Sequence, residues 1–215
     1  MLNTVSYYQK RAQEYEKIYQ RQIPIRPYEQ KKLAKILQLK LQDKNVLEVA
    51  CGTGYWTEYV SRTALKIHAT DFASAMLKIA KTKKYLCPIT FSKEDAYKLH
   101  FKPKFNGAFA ICWFSHIPKQ KLGKFLKVFH QNLKKGSTVI FADNVSRSKL
   151  GGKLIKKSRD PNTYKERLLE DGTKHLVLKN YYTKTDLINI FRSFDKNVAK
   201  KIRFGKYFWT INYEI

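Results

Sequence analysis

The chain has 215 residues, with 43 Lys and Arg against 17 Asp and Glu, which gives a formal net charge of +26. Apolar residues make up 43% of it, and only 9 Gly and 6 Pro are present. These values exclude a disordered, collagen-like or solenoid chain and predict one compact α/β domain over residues 1–215.

The first 28 residues predict a helix followed by an extended hinge. Aromatic and cationic side chains recur there at three- or four-residue spacing, namely Tyr8, Arg11, Tyr15 and Tyr19. Pro24 and Pro27 cannot continue a helix, so we expect a hinge over 22–27 before a new helix starts near Pro27. The aromatic and cationic face would contact a ligand or simply pack on the rest of the protein.

Strand-like apolar runs alternate with amphipathic helical stretches through the middle of the chain. Strands are predicted at 45–50, 65–70, 88–92, 106–112 and 137–142. Helices are predicted at 56–63, 73–84 and 119–134. This alternation predicts a doubly wound sheet with a parallel centre, whose ligand site lies at the carboxyl ends of the strands.

The segment 146–182 interrupts this alternation. It starts as a basic loop and continues as two strand-like runs around Asp171-Gly172, a dipeptide typical of two-residue hairpin turns. A helix at 183–194 follows. Two antiparallel strands are then expected on either side of Gly205, near 198–204 and 206–214. The predicted fold is an α/β, doubly wound, seven-stranded, mostly parallel sheet with a reversed C-terminal hairpin and an inserted β-hairpin.

The sequence VLEVACGTG at residues 46–54 carries the strongest chemical information. Gly52 and Gly54 fall in the turn between the first strand and the first helix, where backbone N–H groups can approach a ligand. Asp71 stands at the end of the second strand, a position suited to binding ribose hydroxyls. A dinucleotide site would have Gly where Thr57 stands. The pattern therefore predicts a nucleoside-binding site.

With Glu48 inside the first strand, this motif resembles that of the Rossmann-like (class I) S-adenosylmethionine-dependent methyltransferases. Later parts of the family pattern are also present, at Asp71, at Glu94-Asp95-Ala96 and at Trp113. Ala50 occupies a position that is often Gly in this family. The resemblance implies S-adenosylmethionine as cofactor, S-adenosylhomocysteine as product, and a bacterial stand-alone enzyme that methylates a small molecule.

The resemblance also implies a cofactor site. Glu48 would organise the glycine turn, Asp71 would hold the ribose, and Asp95 would accept a hydrogen bond from the adenine amino group. The full implied set is Tyr8, Arg11, Glu48, Gly52, Gly54, Asp71, Phe72, Met76, Asp95, Ala96 and Trp113. Phe72 and Met76 have a second explanation as helix–sheet core, and Asp71 has one as a helix cap.

On the acceptor side, the resemblance makes residues 1–28 a lid and residues 146–182 a cover. His116 and Tyr15 are the candidate catalytic bases. His116 is better explained as a capping or hydrogen-bonding residue before the helix at 119–134. The candidate substrate-binding residues are Tyr19, Phe114, Asp143, Arg167, His175 and Tyr182.

Three functions stay open at this stage. The small-molecule methyltransferase rests on the motif set, and a non-catalytic cofactor-binding protein rests on the lack of an unambiguous base. An RNA methyltransferase rests on the +26 charge, which the Lys-rich composition of an AT-rich genome also explains. The acceptor atom, and the choice between monomer and homodimer, do not follow from the sequence.

Compartment and metal content are predicted from simple features. The N-terminus has charges where a secretory signal needs an apolar run, and no stretch of about 18 apolar residues occurs, so we expect a cytoplasmic protein with no membrane partner. Cys51, Cys87 and Cys112 form no pair with metal-ligand spacing. We expect reduced thiols and no metal.

Overall fold

The structure, a computed structural model, describes residues 2–17, 26–146 and 152–215. Its helices are α1 (Leu2–Arg11), α2 (Arg26–Leu41), α3 (Tyr55–Val60), α4 (Ser74–Ala80), α5 (Leu122–Gln131), α6 (Lys184–Phe191) and α7 (Val198–Lys201). Its strands are β1 (Asn45–Val49), β2 (Lys66–Asp71), β3 (Ile89–Lys93), β4 (Phe105–Ile111), β5 (Leu133–Asn144), β6 (Leu154–Lys156), β7 (Thr163–Leu168), β8 (Lys174–Leu178), β9 (Ile202–Phe204) and β10 (Phe208–Glu214). Single 3₁₀ turns lie at Ala12–Glu14, Phe114–His116 and Lys119–Lys121. Residues 22–25 of the predicted hinge and Tyr19 lie outside the described residues. Arg26 and Pro27, the last two hinge residues, are already helical, and α2 therefore begins near Pro27 as predicted.

The main sheet has seven strands in the order β3-β2-β1-β4-β5-β10-β9. The first five pair in parallel, and β10 pairs antiparallel with both β5 and β9. Chain order reverses between β1 and β4, which opens a crevice at the carboxyl ends of these strands. The predicted doubly wound sheet with a reversed C-terminal hairpin is confirmed.

Helices cover both faces of this sheet because its central strands are apolar on both sides. Leu47 and Val49 point to one face and join an apolar cluster with α5 and α6. Val46 points to the other face, where it packs with α2 and α3. Consecutive side chains of a strand alternate between faces, so a fully buried strand has to be apolar throughout.

The inserted segment forms a second, three-stranded antiparallel sheet in the order β6-β7-β8. The predicted hairpin around Asp171-Gly172 is confirmed, with Arg167 opposite His175. Its turn is longer than the expected two residues, because the N–H of Leu169 donates to the carbonyl of Thr173 and leaves residues 170–172 in the loop, with Gly172 left-handed at a φ of 78°. Strand β6 was not predicted, since Leu154-Ile155-Lys156 is too short to show a pattern. The sheet contacts α1 through β8.

Several predicted boundaries were wrong, including those of the helix expected over 73–84, which ends at Ala80, and of the strand expected over 137–142, which spans Leu133–Asn144. The helix expected over 119–134 ends at Gln131, and β5 begins at Leu133, because the Asn132 side chain bonds the backbone of Phe101 and Leu99 and turns the chain. The first half of the strand expected near 198–204 is instead the short helix α7.

The turn between β9 and β10 is fastened to α2 by one carboxylate. Glu29 accepts hydrogen bonds of 2.6, 3.0 and 3.1 Å from the backbone N–H groups of Lys206, Tyr207 and Phe208. At Gly205 an added Cβ would lie 2.5 Å from a carboxylate oxygen of Glu29, so a side chain there would collide with it. Within the described ranges, no helix is long and apolar enough to cross a membrane.

Candidate active site

The glycine turn after β1 is held by the carboxylate at the end of β2. Asp71 accepts one hydrogen bond of 2.8 Å from the N–H of Gly52 and another of 2.8 Å from the N–H of Ala73. Ala50 and Gly52 both have positive φ, at 60° and 57°, which turns the chain sharply into α3. Asp71 thereby joins the ends of two neighbouring parallel strands.

Glu48 lies beneath this turn in a buried position. Its carboxyl group accepts a hydrogen bond of 2.6 Å from the Thr57 hydroxyl. Burial raises the pKa of Glu48 to about 8, with a smaller contribution in the same direction from Asp71. Glu48 therefore supports the turn from below and does not line the open cavity.

A cavity of about 910 Å³ opens at the carboxyl ends of β1 to β4. Ten of the residues expected at the site from the sequence line it, namely Tyr8, Tyr15, Gly52, Asp71, Phe72, Met76, Asp95, Ala96, Trp113 and His116. Two of its lining residues, Tyr97 and Trp113, have a buried hydroxyl and indole N–H without a hydrogen-bond partner in the described parts of the chain. Unmet hydrogen-bonding groups at a cavity are suited to a polar ligand.

Helix α1 and the turn after it close one side of the cavity. Gln9 accepts a hydrogen bond of 2.9 Å from the N–H of Ala75 at the start of α4. Glu16 accepts one of 2.6 Å from the Thr53 hydroxyl in the glycine turn, and it pairs with Lys83. Tyr15 stands next to Gly52. The N-terminal segment is therefore bonded both to the glycine turn and to helix α4 with the residues that follow it.

His116 lines the cavity as a neutral ring, at the end formed by the loop after β4 and the inserted sheet. Its Nδ1 donates a hydrogen bond of 2.6 Å to the carbonyl of Leu178, so Nε2 has no proton and accepts from the Tyr8 hydroxyl at 3.0 Å. Burial, together with the charge of Lys179, lowers the pKa of His116 to about 3. As placed, this side chain is a hydrogen-bond acceptor without a free basic nitrogen.

A buried ion pair beneath His116 escaped sequence analysis. Lys179 donates hydrogen bonds of 3.1 Å to Asp143 and 2.6 Å to the Ser115 hydroxyl, while the N–H of Ser115 donates to Asp143 at 2.8 Å. Burial alone would raise the pKa of Asp143, but Lys179 and the backbone N–H groups hold it below its usual value. Asp143 was expected to face the cleft and instead braces the inserted sheet against β5.

The other expected substrate-binding residues that the structure describes also lie away from the cavity. Phe114 and Tyr182 belong to the main core, where their ring centroids are 5.2 Å apart. The His175 ring packs against Tyr7, with centroids 5.5 Å apart and planes inclined by 55°. Arg167 faces a separate, polar cavity. The physical reason is that β7 and β8 turn the other side of their hairpin toward the site.

Two expected cofactor residues are placed elsewhere as well. Arg11 lies over the rings of Tyr7 and Tyr15, at 5.4 and 5.3 Å, and faces the same separate cavity as Arg167. Gly54 is close-packed, since an added Cβ would overlap the Tyr85 hydroxyl. Gly54 thus allows helix α3 to approach the segment after α4.

The end of the cavity next to His116 includes residues that sequence analysis did not single out. They are Pro118, Lys157, Asn162, Tyr164, Leu176 and Leu178. Leu176 and Leu178 are two residues apart on β8 and therefore share one face of the strand, and Tyr164 on β7 lies opposite Leu178. That period-two alternation was the available signal.

Comparisons with known proteins show what this chain is similar to. The family described as "Methyltransferase domain" matches residues 46–136. A malonyl-[acyl-carrier protein] O-methyltransferase of Bacillus cereus is 30% identical over 122 residues, which are 53% of this chain and 45% of that protein. The protein of the same name from Bacillus anthracis is 38% identical over 63 residues, or 28% of this chain and 23% of that one. The chain thus matches less than half the length of these curated relatives.

Solved structures match over nearly the whole chain. The DhpI-SAM-HEP complex has a TM-score of 0.77 at 21% identity and covers 98% of this chain and 95% of that one. An S-adenosylmethionine-dependent methyltransferase from Clostridium acetobutylicum has a TM-score of 0.64 at 19% identity, covering 97% and 98%. The inserted sheet and the reversed hairpin therefore belong to a fold that solved methyltransferase structures share.

Proposed function

We propose that this chain, a class I methyltransferase by fold whose residues 46–136 belong to the methyltransferase domain family, transfers a methyl group from S-adenosylmethionine to a small-molecule acceptor. The observation that carries the proposal is the position of Asp71. Its carboxylate binds the N–H of Gly52 and lines the cavity at the crossover between β1 and β4. A nucleoside placed there would reach both the glycine turn and the acidic end of β2.

The cavity residues fit this cofactor chemically. The Phe72 side chain is 47% exposed at the cavity edge, where an adenine ring could cover it. Asp95, whose carboxylate accepts from the N–H of Tyr97 at 2.9 Å, has further acceptor capacity for an adenine amino group. Met76 is 2% exposed and packs with Ala12 and Ala73, so it supports the site mainly as core.

When bound, the cofactor supplies an electrophilic methyl group on a sulfonium centre. The protein then has to align the acceptor with that methyl group and exclude water. The rings of Tyr8 and Tyr15 lie 6.0 Å apart, and both line the cavity, so they offer aromatic surface to a sulfonium cation. Their attachment through α1 and its following turn makes that segment the water-excluding wall.

Oxygen is the acceptor atom that we favour. The curated relatives named above are O-methyltransferases. In this chain, Nε2 of His116 already accepts a hydrogen bond from the Tyr8 hydroxyl, and burial lowers the pKa of His116 to about 3. An acceptor that is already ionised, such as an acid, would need no general base. His116 and Tyr15 would then position the acceptor without removing a proton.

Calorimetric titration of the full chain with S-adenosylmethionine and S-adenosylhomocysteine tests the cofactor. We expect dissociation constants in the micromolar range. Asp71→Asn should weaken binding about tenfold or more, because a charge-assisted hydrogen bond is worth about 1.5–3 kcal/mol. Asp171→Asn, in the exposed hairpin turn, is the matched control and should bind as the parent does. Absence of binding by the parent would refute the proposal.

Transfer of labelled methyl from the cofactor to a metabolite pool tests catalysis. Alkaline treatment should release the label as methanol if the product is a methyl ester, whereas ethers and methylamines would retain it. Cofactor binding without any transfer would instead favour a non-catalytic cofactor-binding protein. Labelling of an RNA fraction, abolished by ribonuclease, would favour an RNA acceptor.

A further inference from the structure

A second, polar cavity of about 440 Å³ lies between α1 and the inserted sheet. Its walls are Tyr7 and Arg11 from α1 and residues of the inserted segment, namely Gly152, Lys153, Glu166, Arg167, Leu168 and Lys174. None of these residues lines the larger cavity. The cavity is therefore a separate space with its own chemistry.

Cations dominate this second cavity. Arg11, Lys153, Arg167 and Lys174 line it against the single carboxylate of Glu166. Among the residues that the structure describes, none of these four cations forms an ion pair. The segments outside that description, 18–25 and 147–151, contain no Asp or Glu in the sequence and cannot supply the missing charge.

The cavity adjoins the end of the larger one next to His116. Tyr7 lines the second cavity and Tyr8 the first, and their rings are 5.0 Å apart. Arg167 also acts on His116, which lines the larger cavity. Burial and the charge of Lys179 lower the pKa of His116 most, and the charge of Arg167 lowers it further. Tyr7 is 2% exposed, so a ligand in the larger cavity would extend a charged end toward Arg167 by displacing the Tyr7 ring.

We propose that this second cavity binds an anionic oxygen group of the methyl acceptor, a carboxylate or a phosphate, between Arg11 and Arg167. The two guanidinium groups stand on opposite elements, α1 and β7, and like charges facing one cavity repel each other. An anion between them replaces that repulsion with two charge-assisted contacts, for which the planar guanidinium is suited. Binding of the acceptor would then also hold α1 against the inserted sheet.

The inference rests on the proposed function, and calorimetry with inorganic phosphate and with malonate as probes tests it. Titrations of the full chain are made at constant ionic strength set with chloride, because the net charge of +26 attracts any anion weakly. We expect saturable binding with a dissociation constant of about 1 mM or below for at least one probe. The preferred probe assigns the group as phosphate or carboxylate.

Variants at Arg167 locate the site. Arg167→Gln should weaken probe binding about tenfold or more, and Arg167→Lys should recover part of it, because the charge is kept and the planar donor pair is lost. Arg192→Gln removes an exposed charge at the end of α6 and should leave binding within about twofold. Unchanged binding in Arg167→Gln, or no saturable binding of either probe by the parent, would overturn the inference.

Titration with S-adenosylhomocysteine separates this inference from the proposed function. If Arg167→Gln and the parent bind it equally while only the parent binds the anion, both proposals hold. If both bind it and neither binds an anion, only the anion site fails. If the parent does not bind it, the proposed function itself fails, whatever the anions do. Thermal unfolding of each variant verifies that the fold is intact.

Discussion

The Tyr8 hydroxyl donates a hydrogen bond of 3.0 Å to Nε2 of His116 and thereby joins helix α1 to the loop after β4. The two rings meet edge to face, with centroids 5.5 Å apart. Because Nδ1 of the same ring donates to the Leu178 carbonyl, one imidazole connects the N-terminal helix to the inserted sheet. The wall and the cover of the cavity are thus linked through a single side chain.

Cofactor binding should increase the hydrogen-exchange protection of residues 7–19. The turn after the N-terminal helix already contacts the glycine turn through Glu16, and S-adenosylhomocysteine would add contacts beneath it. S-adenosylmethionine should protect more than the product does, because its sulfonium charge can contact the tyrosine rings. Tyr8→Phe should raise exchange in the free protein about two- to tenfold, with Tyr28→Phe as an exposed control. Equal protection with and without ligand would make the helix a fixed wall.

Substituting Glu48 should flatten the pH dependence of stability. The pKa of Glu48 is about 8 in the folded protein against an ordinary value of 4.5, so folding favours its protonated form. The contribution of Glu48 to the free energy of unfolding should therefore be greatest below about pH 4.5 and fall until about pH 8, by up to about 1.4 kcal/mol per pH unit.

Glu48→Gln mimics the neutral acid and cannot ionise, so the variant should lose the part of the pH dependence that comes from Glu48. Urea unfolding of the parent and the variant between pH 5 and 9 checks it. The difference in unfolding free energy should change steadily in favour of the variant as the pH rises. A difference that does not depend on pH would show that Glu48 ionises normally.

Breaking the buried ion pair should be costly. Lys179→Met removes the cation from Asp143, which is fully buried, and should destabilise the protein by about 3–5 kcal/mol. Lys201→Met breaks an exposed pair with Asp195 and should cost less than about 1 kcal/mol. Chemical denaturation of both variants measures the contrast. Equal effects would mean that Lys179 contributes no more than a surface charge.

Glycine should be better than alanine at position 50. Ala50 has a φ of 60°, a left-handed conformation that costs an L-residue about 1–2 kcal/mol and costs glycine little. Ala50→Gly should therefore raise the free energy of unfolding by about 0.5–1 kcal/mol, after allowance for the greater flexibility of glycine in the unfolded chain. Ala34→Gly inside α2 should have the opposite sign. Destabilisation by Ala50→Gly would show that the alanine methyl group is needed for packing.

Features encoded by local pattern were predicted well. The central parallel strands β1 and β4 were visible because both of their faces are buried and their runs are mostly apolar. The glycine turn and Asp71 were visible because their backbone geometry requires particular residues at fixed spacing. The Asp171-Gly172 turn was visible for the same reason.

Features that depend on distant chain segments were not predicted. Lys179 is one lysine among many in the sequence, and only the folded chain brings it to Asp143 and Ser115. Asp143 was assigned to the cleft because strand ends usually face it, yet the ion pair turns the carboxylate inward. Arg11 and Arg167 share a cavity only because α1 packs on the inserted sheet. The periodicity of neither segment predicts this contact between them.

The contact between Glu29 and the turn at Gly205 couples two positions near opposite ends of the chain. Because the carboxylate fills the space that a side chain at 205 would need, a larger residue there forces the Glu29 side chain to move. A homologue that acquires such a residue at 205 loses the reason to keep Glu29 and has to find other acceptors for three backbone N–H groups. In an alignment of relatives that keep this turn, these two columns should covary, and either single substitution should be rarer than the pair.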